Sequence, residues 1–214
     1  MLSTTTRRTL LALLAGAAAA PAFAAAAPQL SPEDQAVVDK AVNYLENLAS
    51  AKGRFTQYDP RGRKTEGELY IKRPGKARFA YDPPASLLLV SDGGTVNVYD
   101  YKLKTFESYP LKMTPLNLFL AKHIRLDKGV VVTGVKRYAD GFAITCRDGK
   151  KEADGQITLT FSDNPVALRE WSVTDAQNQT TRVVINGLAP AGDLSPKLFV
   201  LRDPRPPPGT ARSH

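Results

Sequence analysis

The chain has 214 residues, 29 Lys and Arg against 21 Asp and Glu, a net charge of +8, and a single cysteine. That length supports one domain with a sizeable core, and one cysteine excludes an internal disulfide. Two histidines, no Cys-x-x-Cys, no His-Glu-x-x-His and no glycine-rich phosphate loop leave a metal site without ligands and a nucleotide cofactor without a cradle, so no cofactor is expected.

Residues 1–24 read as an export signal. Arg7 and Arg8 form a basic n-region, Leu10 to about Ala20 an apolar h-region, and Ala22-Phe23-Ala24 a small-x-small cleavage site. The apolar run is too short for an anchored membrane span. Thr6-Arg7-Arg8-Thr9-Leu10-Leu11 also resembles a twin-arginine signal, and paired arginines occur in ordinary signals too, so both export routes stay open. No cysteine follows the h-region, which excludes a lipobox. Cleavage removes only two charges, to about +6. For an exported chain, that excess favours anionic membrane surfaces or an acidic partner over nucleic acid.

After a leader over 25–30, Ser31-Pro32-Glu33-Asp34 supplies a cap, a first-position proline and two first-turn acids. Val38, Ala41, Val42, Leu45 and Leu48 recur at helical spacing, which predicts an amphipathic helix to about Ser50. Strands are then expected at 54–58, 67–73, 77–81, 86–91, 95–99 and 105–109. Gly93-Gly94 forms a hairpin turn and Tyr101-Lys-Leu-Lys104 another. Thr114-Pro115 opens a short helix over 116–122. Strands resume at 130–138, 141–147, 156–161, 167–174 and 179–185, with turns at Asp140-Gly141 and Asp154-Gly155 and an edge strand expected at 197–201. Asp203 to His214 is a proline-rich tail. About eleven short antiparallel strands with two helices predict one strongly curved sheet or barrel over residues 31–202.

Within Gly67-Glu-Leu-Tyr-Ile-Lys-Arg-Pro74, strand alternation puts Leu69, Ile71 and Arg73 on one face. An unpaired guanidinium carried inward costs several kcal/mol. Arg73 therefore either bends out to water at the strand end or meets hydrogen-bond acceptors across an apolar interior. The other side chains expected inside are Phe55, Phe79, Tyr81, Leu88, Val90, Val96, Val98, Leu116 and Phe119. The pattern is equally that of a filled barrel core and of a ligand cavity. Cys146, in phase with Phe142 and Ile144, reads as a buried, inert thiol. A hydrolytic triad would have to use His123, a helix-end histidine with no recognisable partner, so no catalytic residue is assigned and the chain is not expected to be an enzyme.

Phe55-Thr56-Gln57, Gly67-x-Leu69-x-Ile71-Lys72-Arg73-Pro74, Phe79-x-Tyr81, Val90-Ser91-Asp92-Gly93 and Thr114-Pro115-Leu116 follow one another in an order that resembles the LolA family of periplasmic lipoprotein carriers. The resemblance covers about residues 35–201. It implies an unclosed antiparallel barrel with helices as a lid over an apolar cavity and, with the signal cleaved near Ala24, a periplasmic, monomeric carrier. The implied cargo is acylated lipoprotein, with an inner-membrane ABC transporter as donor and an outer-membrane acceptor. Arg73 matches the family arginine that hydrogen-bonds lid carbonyls in the empty carrier. The related receptor branch is lipid-anchored and projects an apolar loop, whereas Asp59 to Glu66 here is wholly polar. A carrier of another amphiphile, such as a glycolipid, a hopanoid or another free lipid, is the alternative.

Overall fold

Ser31 caps the first helix with its side chain, Oγ accepting from Asp34 N at 3.1 Å, and Pro32 starts the helix where a missing N–H costs nothing. In the computed structural model, which describes residues 30–124, 130–149 and 155–205, this helix α1 spans Pro32–Asn47 and buries Val37, Val38, Ala41 and Leu45. The signal over 1–24, the leader up to residue 29 and the tail beyond Arg205 lie outside the described residues, as does Asp154 of the expected turn.

Eleven strands follow: β1 (Ser50–Tyr58), β2 (Lys64–Lys72), β3 (Lys76–Tyr81), β4 (Leu87–Asp92), β5 (Thr95–Asp100), β6 (Thr105–Pro110), β7 (Val130–Arg137), β8 (Gly141–Asp148), β9 (Gln156–Asp163), β10 (Val166–Thr174) and β11 (Thr180–Pro190). They form one antiparallel sheet in the order β6-β5-β4-β3-β2-β1-β11-β10-β9-β8-β7. Only β1 with β11 joins the two halves; β6 and β7 are the edges and do not pair, so the sheet curls without closing. Between those edges the chain makes a 3-10 turn at Leu111–Met113 and the short helix α2 at Asn117–Leu120.

Register separates the two faces. Leu69 stands opposite Phe79, Phe79 opposite Leu89, and Leu89 opposite Val98, all turned to the concave side. Ala80 stands opposite Leu88, and Leu88 opposite Tyr99, one residue out of phase and therefore on the convex side. Leu88 and Val90, expected inside, are thus corrected to the outer face. Leu87-Leu-Leu-Val90 is apolar at every position, so alternation offered no phase there, and neighbouring Leu89 and Ser91 take the inward places.

The outer pair is covered by the chain's last described stretch. The edge strand expected at 197–201 is instead a 3-10 turn, Pro196–Phe199, whose Phe199 is buried against Leu88 and Val90 with Tyr70, Leu198 and Leu201 around them. Pro196 cannot donate to a ladder, and Ser195 Oγ accepts from Lys197 N, so the local sequence favours a turn. Lys72 Nζ donates to Asp193 Oδ1 at 2.6 Å and to Leu194 O at 3.0 Å, and Arg78 Nη1 to Leu198 O at 3.2 Å, fastening this strap to β2 and β3.

On the concave side one core joins α1, the β6–β7 connection and both halves of the sheet. At Gly67 a Cβ would collide with the Ala80 carbonyl oxygen and come within 2.8 Å of the Phe55 ring, which explains a glycine in mid-strand. Cys146 is fully buried, and desolvation pushes its thiol up to about 12.

Two outcomes follow from this packing. Phe199→Ala should lower unfolding stability by about 3 kcal/mol, read from urea melts, while leaving the concave face able to bind an apolar dye. At pH 8 the native Cys146 thiol should resist a bulky disulfide reagent that labels the urea-unfolded chain at once; equal rates would put it on the surface.

Candidate functional site

The concave interior is organised by aromatic rings. Phe55 from β1 meets Phe79 and Tyr81 from β3 edge-on, with centroids at 5.4 and 5.0 Å. Phe79 then meets Trp171 of β10 at 5.9 Å, and Trp171 meets Phe119 of α2 at 5.3 Å. This chain of contacts crosses the interior from one half of the sheet to the other and ends on the covering segment. Each edge-on pair contributes roughly 0.5–1.5 kcal/mol beyond its buried area. Tyr81 places a hydroxyl in the series that donates to Gln57 Oε1 at 2.7 Å, and burial pushes its pKa up to about 12.

Of the residues expected inside, Phe55, Leu69, Ile71, Phe79, Val96 and Phe119 are buried in this core, and Tyr81, Val98 and Leu116 pack against it partly exposed. Leu88 and Val90 do not belong to it. Phe119 is 1% exposed, so the side chains of the covering segment and of the sheet fill the interior jointly.

Arg73 follows the last residue of β2, and its backbone N still donates to Ala49 O at 2.8 Å. Its side chain reaches over the concave side, where Nη2 donates to Ala121 O, the C-cap of α2, at 2.5 Å. Nε and Nη1 are buried without a partner. Desolvation lowers the Arg73 pKa, and the nearby negative charge of Glu46 on α1 partly offsets this. Two further bonds hold the same stretch. Gly75 N donates to Leu120 O at 2.7 Å, and Ile124 N donates to Glu46 Oε1 at 3.3 Å. The β2–β3 turn is itself braced, since Ser91 Oγ donates to Gly75 O at 2.6 Å. The α2 end is therefore tied to the sheet and to α1 by three polar contacts, two of them involving a charged group.

A cleft of about 400 Å³ opens beside this closure, within the range of roughly 300–1,000 Å³ usual for ligand sites. One wall is Met113, Pro115 and Leu118; the other is Val130, Ile157 and Val173, each within one residue of an end of its strand. His123 is exposed just beyond α2. Among the described residues no three His, Cys, Asp or Glu side chains gather as a metal site would require.

Sequence reasoning missed Trp171, Gln57 and Glu46. Trp171 escaped because a bulge between Leu168 and Glu170 shifts the register, so Leu168 and Trp171 both face inward at a spacing no regular strand allows. The lone tryptophan of the chain was the available signal. Glu46 lies on the polar flank of α1, and nothing local marks it.

Comparison with known proteins bears on this arrangement. A family model described as outer membrane lipoprotein carrier protein LolA matches residues 46–202. An outer-membrane lipoprotein carrier protein of Chromobacterium violaceum is 26% identical, the match covering 86% of this chain and 92% of that one. One from Aeromonas salmonicida is 28% identical over 74% and 80% of the two chains. A solved LolA superfamily protein from Nitrosomonas europaea, 9% identical, superposes over 78% of this chain and 97% of that one with a TM-score of 0.45. With an unclosed eleven-stranded sheet, a helical cover on its concave face and a family match spanning most of its length, the chain belongs to the LolA family of lipoprotein carriers.

Proposed function

We propose that the protein is exported to the periplasm, with cleavage after Ala24, and shuttles lipoproteins from the inner to the outer membrane by housing their acyl chains on the concave face. The observation that carries this reading is the closure at α2: an apolar, ring-lined interior covered by a segment whose Phe119 fills it and whose end is held by few polar contacts. Each buried methylene contributes roughly 0.8 kcal/mol, so a triacylated protein faces a cost on the order of 30 kcal/mol to enter water bare. Acyl chains take the place of Phe119 and its neighbours, entering from the cleft walled by Met113, Leu118 and Ile157. The chain has no nucleotide motif, so the energy of loading comes from a donor, an inner-membrane ABC transporter, and the cargo passes to an outer-membrane acceptor.

Arg73 is the latch of this cycle. Its charged bond to Ala121 O contributes about 1.5–3 kcal/mol to closure, while its two buried unpartnered nitrogens each cost about 1–3 kcal/mol. Together those two costs, about 2–6 kcal/mol, match or exceed the gain, so the closed state is held weakly. A lid of that kind yields to a donor and still returns when cargo leaves. Leucine at this position lines the cavity with apolar surface and removes the charged bond.

Two outcomes test the reading. An environment-sensitive apolar dye should brighten with the native chain and be displaced by a diacylglyceryl-cysteine lipopeptide; brightness no greater than with an ordinary globular protein refutes the cavity, and displacement by free lipid alone favours a carrier of another amphiphile. Arg73→Leu should unfold at no lower denaturant than the parent, load lipoprotein at least as well, and release it to acceptor roughly ten- to a hundredfold more slowly, with Arg73→Lys between them. Release at the parental rate would leave Arg73 without a part in the cycle.

A further inference from the structure

Six large apolar side chains are prominently exposed among the described residues, and two of them share one four-residue turn: Tyr101 is 54% and Leu103 69% exposed between β5 and β6. Lys102 and Lys104, on either side of Leu103, are exposed and make no ion pair among the described residues. The turn is firmly built. Asp100 Oδ1 accepts from both Lys102 N and Leu103 N at 2.8 Å, Tyr101 N donates to Ser86 O at 2.8 Å, and the Tyr101 ring stands edge-on to Tyr99 at 4.7 Å. Leu103 is thus held outward by the backbone rather than left free to fold onto the sheet. Lys104 occupies the left-handed region at φ 54°, where glycine is the inexpensive choice, so a cation stands where the backbone alone would favour none.

Position adds to composition. In an antiparallel sheet this turn lies at the end where β3, β8 and β10 finish and β4, β7 and β9 begin, which is the end lined by Val130, Gln156, Ile157 and Val173 of the cleft. Beyond the adjacent β3–β4 turn, whose Asp82 pairs with Arg54, the β1–β2 turn at this end is also polar, its Asp59 paired with Arg63, and it adds exposed Arg61. One apolar tip flanked by cations, on the rim that carries the cleft, has the chemistry of an interfacial contact: leucine below the headgroups, tyrosine at their level, lysines on anionic charge.

We propose that the Tyr101–Lys104 turn docks the protein on an anionic phospholipid surface, turning the cleft end toward the bilayer. Docking is reversible, because one leucine, one tyrosine and a few cations fall well short of a stable anchor. It goes beyond the carrier reading and does not depend on it, since an empty chain would dock equally.

The test is flotation of the chain from Ala25 onward, which contains every described element of the fold, with vesicles of phosphatidylcholine containing or lacking phosphatidylglycerol and no lipoprotein. The chain should float with anionic vesicles and at least tenfold less with neutral ones, and binding should fall as salt is raised. Lys102→Gln with Lys104→Gln should weaken binding roughly twentyfold and Leu103→Ser about tenfold. Both variants should keep the parental circular dichroism and the parental dye binding of the interior, which separates surface docking from lipid uptake. A parent that fails to float, or variants that float as it does, would overturn the proposal; dye binding absent from a parent that still floats would instead count against the carrier.

Discussion

A single antiparallel sheet that curls without closing has one concave face, and that face must be covered by something other than a second sheet. Eleven strands with β6 and β7 left unpaired impose this condition on everything else in the molecule. The apolar stripe of α1 covers part of the concavity, and the connection from β6 to β7 covers more, burying Leu111, Phe119, Leu120 and Ile124. In an ordinary domain such a cover would be secured by a long helix with a broad apolar face. Here, among the described residues, it is a 3-10 turn and one four-residue helix, too short to be stable without tertiary support. Among the described residues its hold therefore rests on side-chain packing, on the bond from Leu111 N to Gly94 O and on the three polar contacts at Leu120, Ala121 and Ile124.

Most of this architecture was legible in the residues. Ser31-Pro32 marks the helix start, alternating stretches broken by Gly, Pro and Asp mark the strands, and the apolar alternation of Leu69, Ile71, Phe79 and Val96 assigns the inner face. Legibility ended where local pattern carried no phase. Leu88 and Val90 lie in a run apolar on both faces, and their side is decided by Phe199, more than a hundred residues later. Trp171 lies beyond a bulge that breaks the period-2 count. Pro196–Phe199 reads as an edge strand by composition, but its proline cannot donate and its phenylalanine has an apolar seat on the convex face. In each case a tertiary contact overrode the local signal.

The candidate site divides in the same way. The position of Arg73 on an apolar face is a sequence fact, and so is the conflict between its charge and its neighbours. Its partner is a backbone carbonyl, Ala121 O, which no residue identity advertises. Glu46, whose charge moderates the arginine's burial and whose carboxylate accepts from Ile124 N, comes from the helix before the sheet begins. A side chain's setting of this kind is assembled from three distant stretches, α1, the β2–β3 turn and the α2 end, and becomes visible only when the chain is folded.

The cover is also the only covalent bridge between the sheet's two free edges. Leu111 N is hydrogen-bonded to Gly94 O beside β6, and the same run of chain continues to Val130 at the start of β7. On the β6 side the cover is tethered within one residue of the strand end, so α2 can leave the interior only as far as the few residues between Leu111 and Asn117 allow.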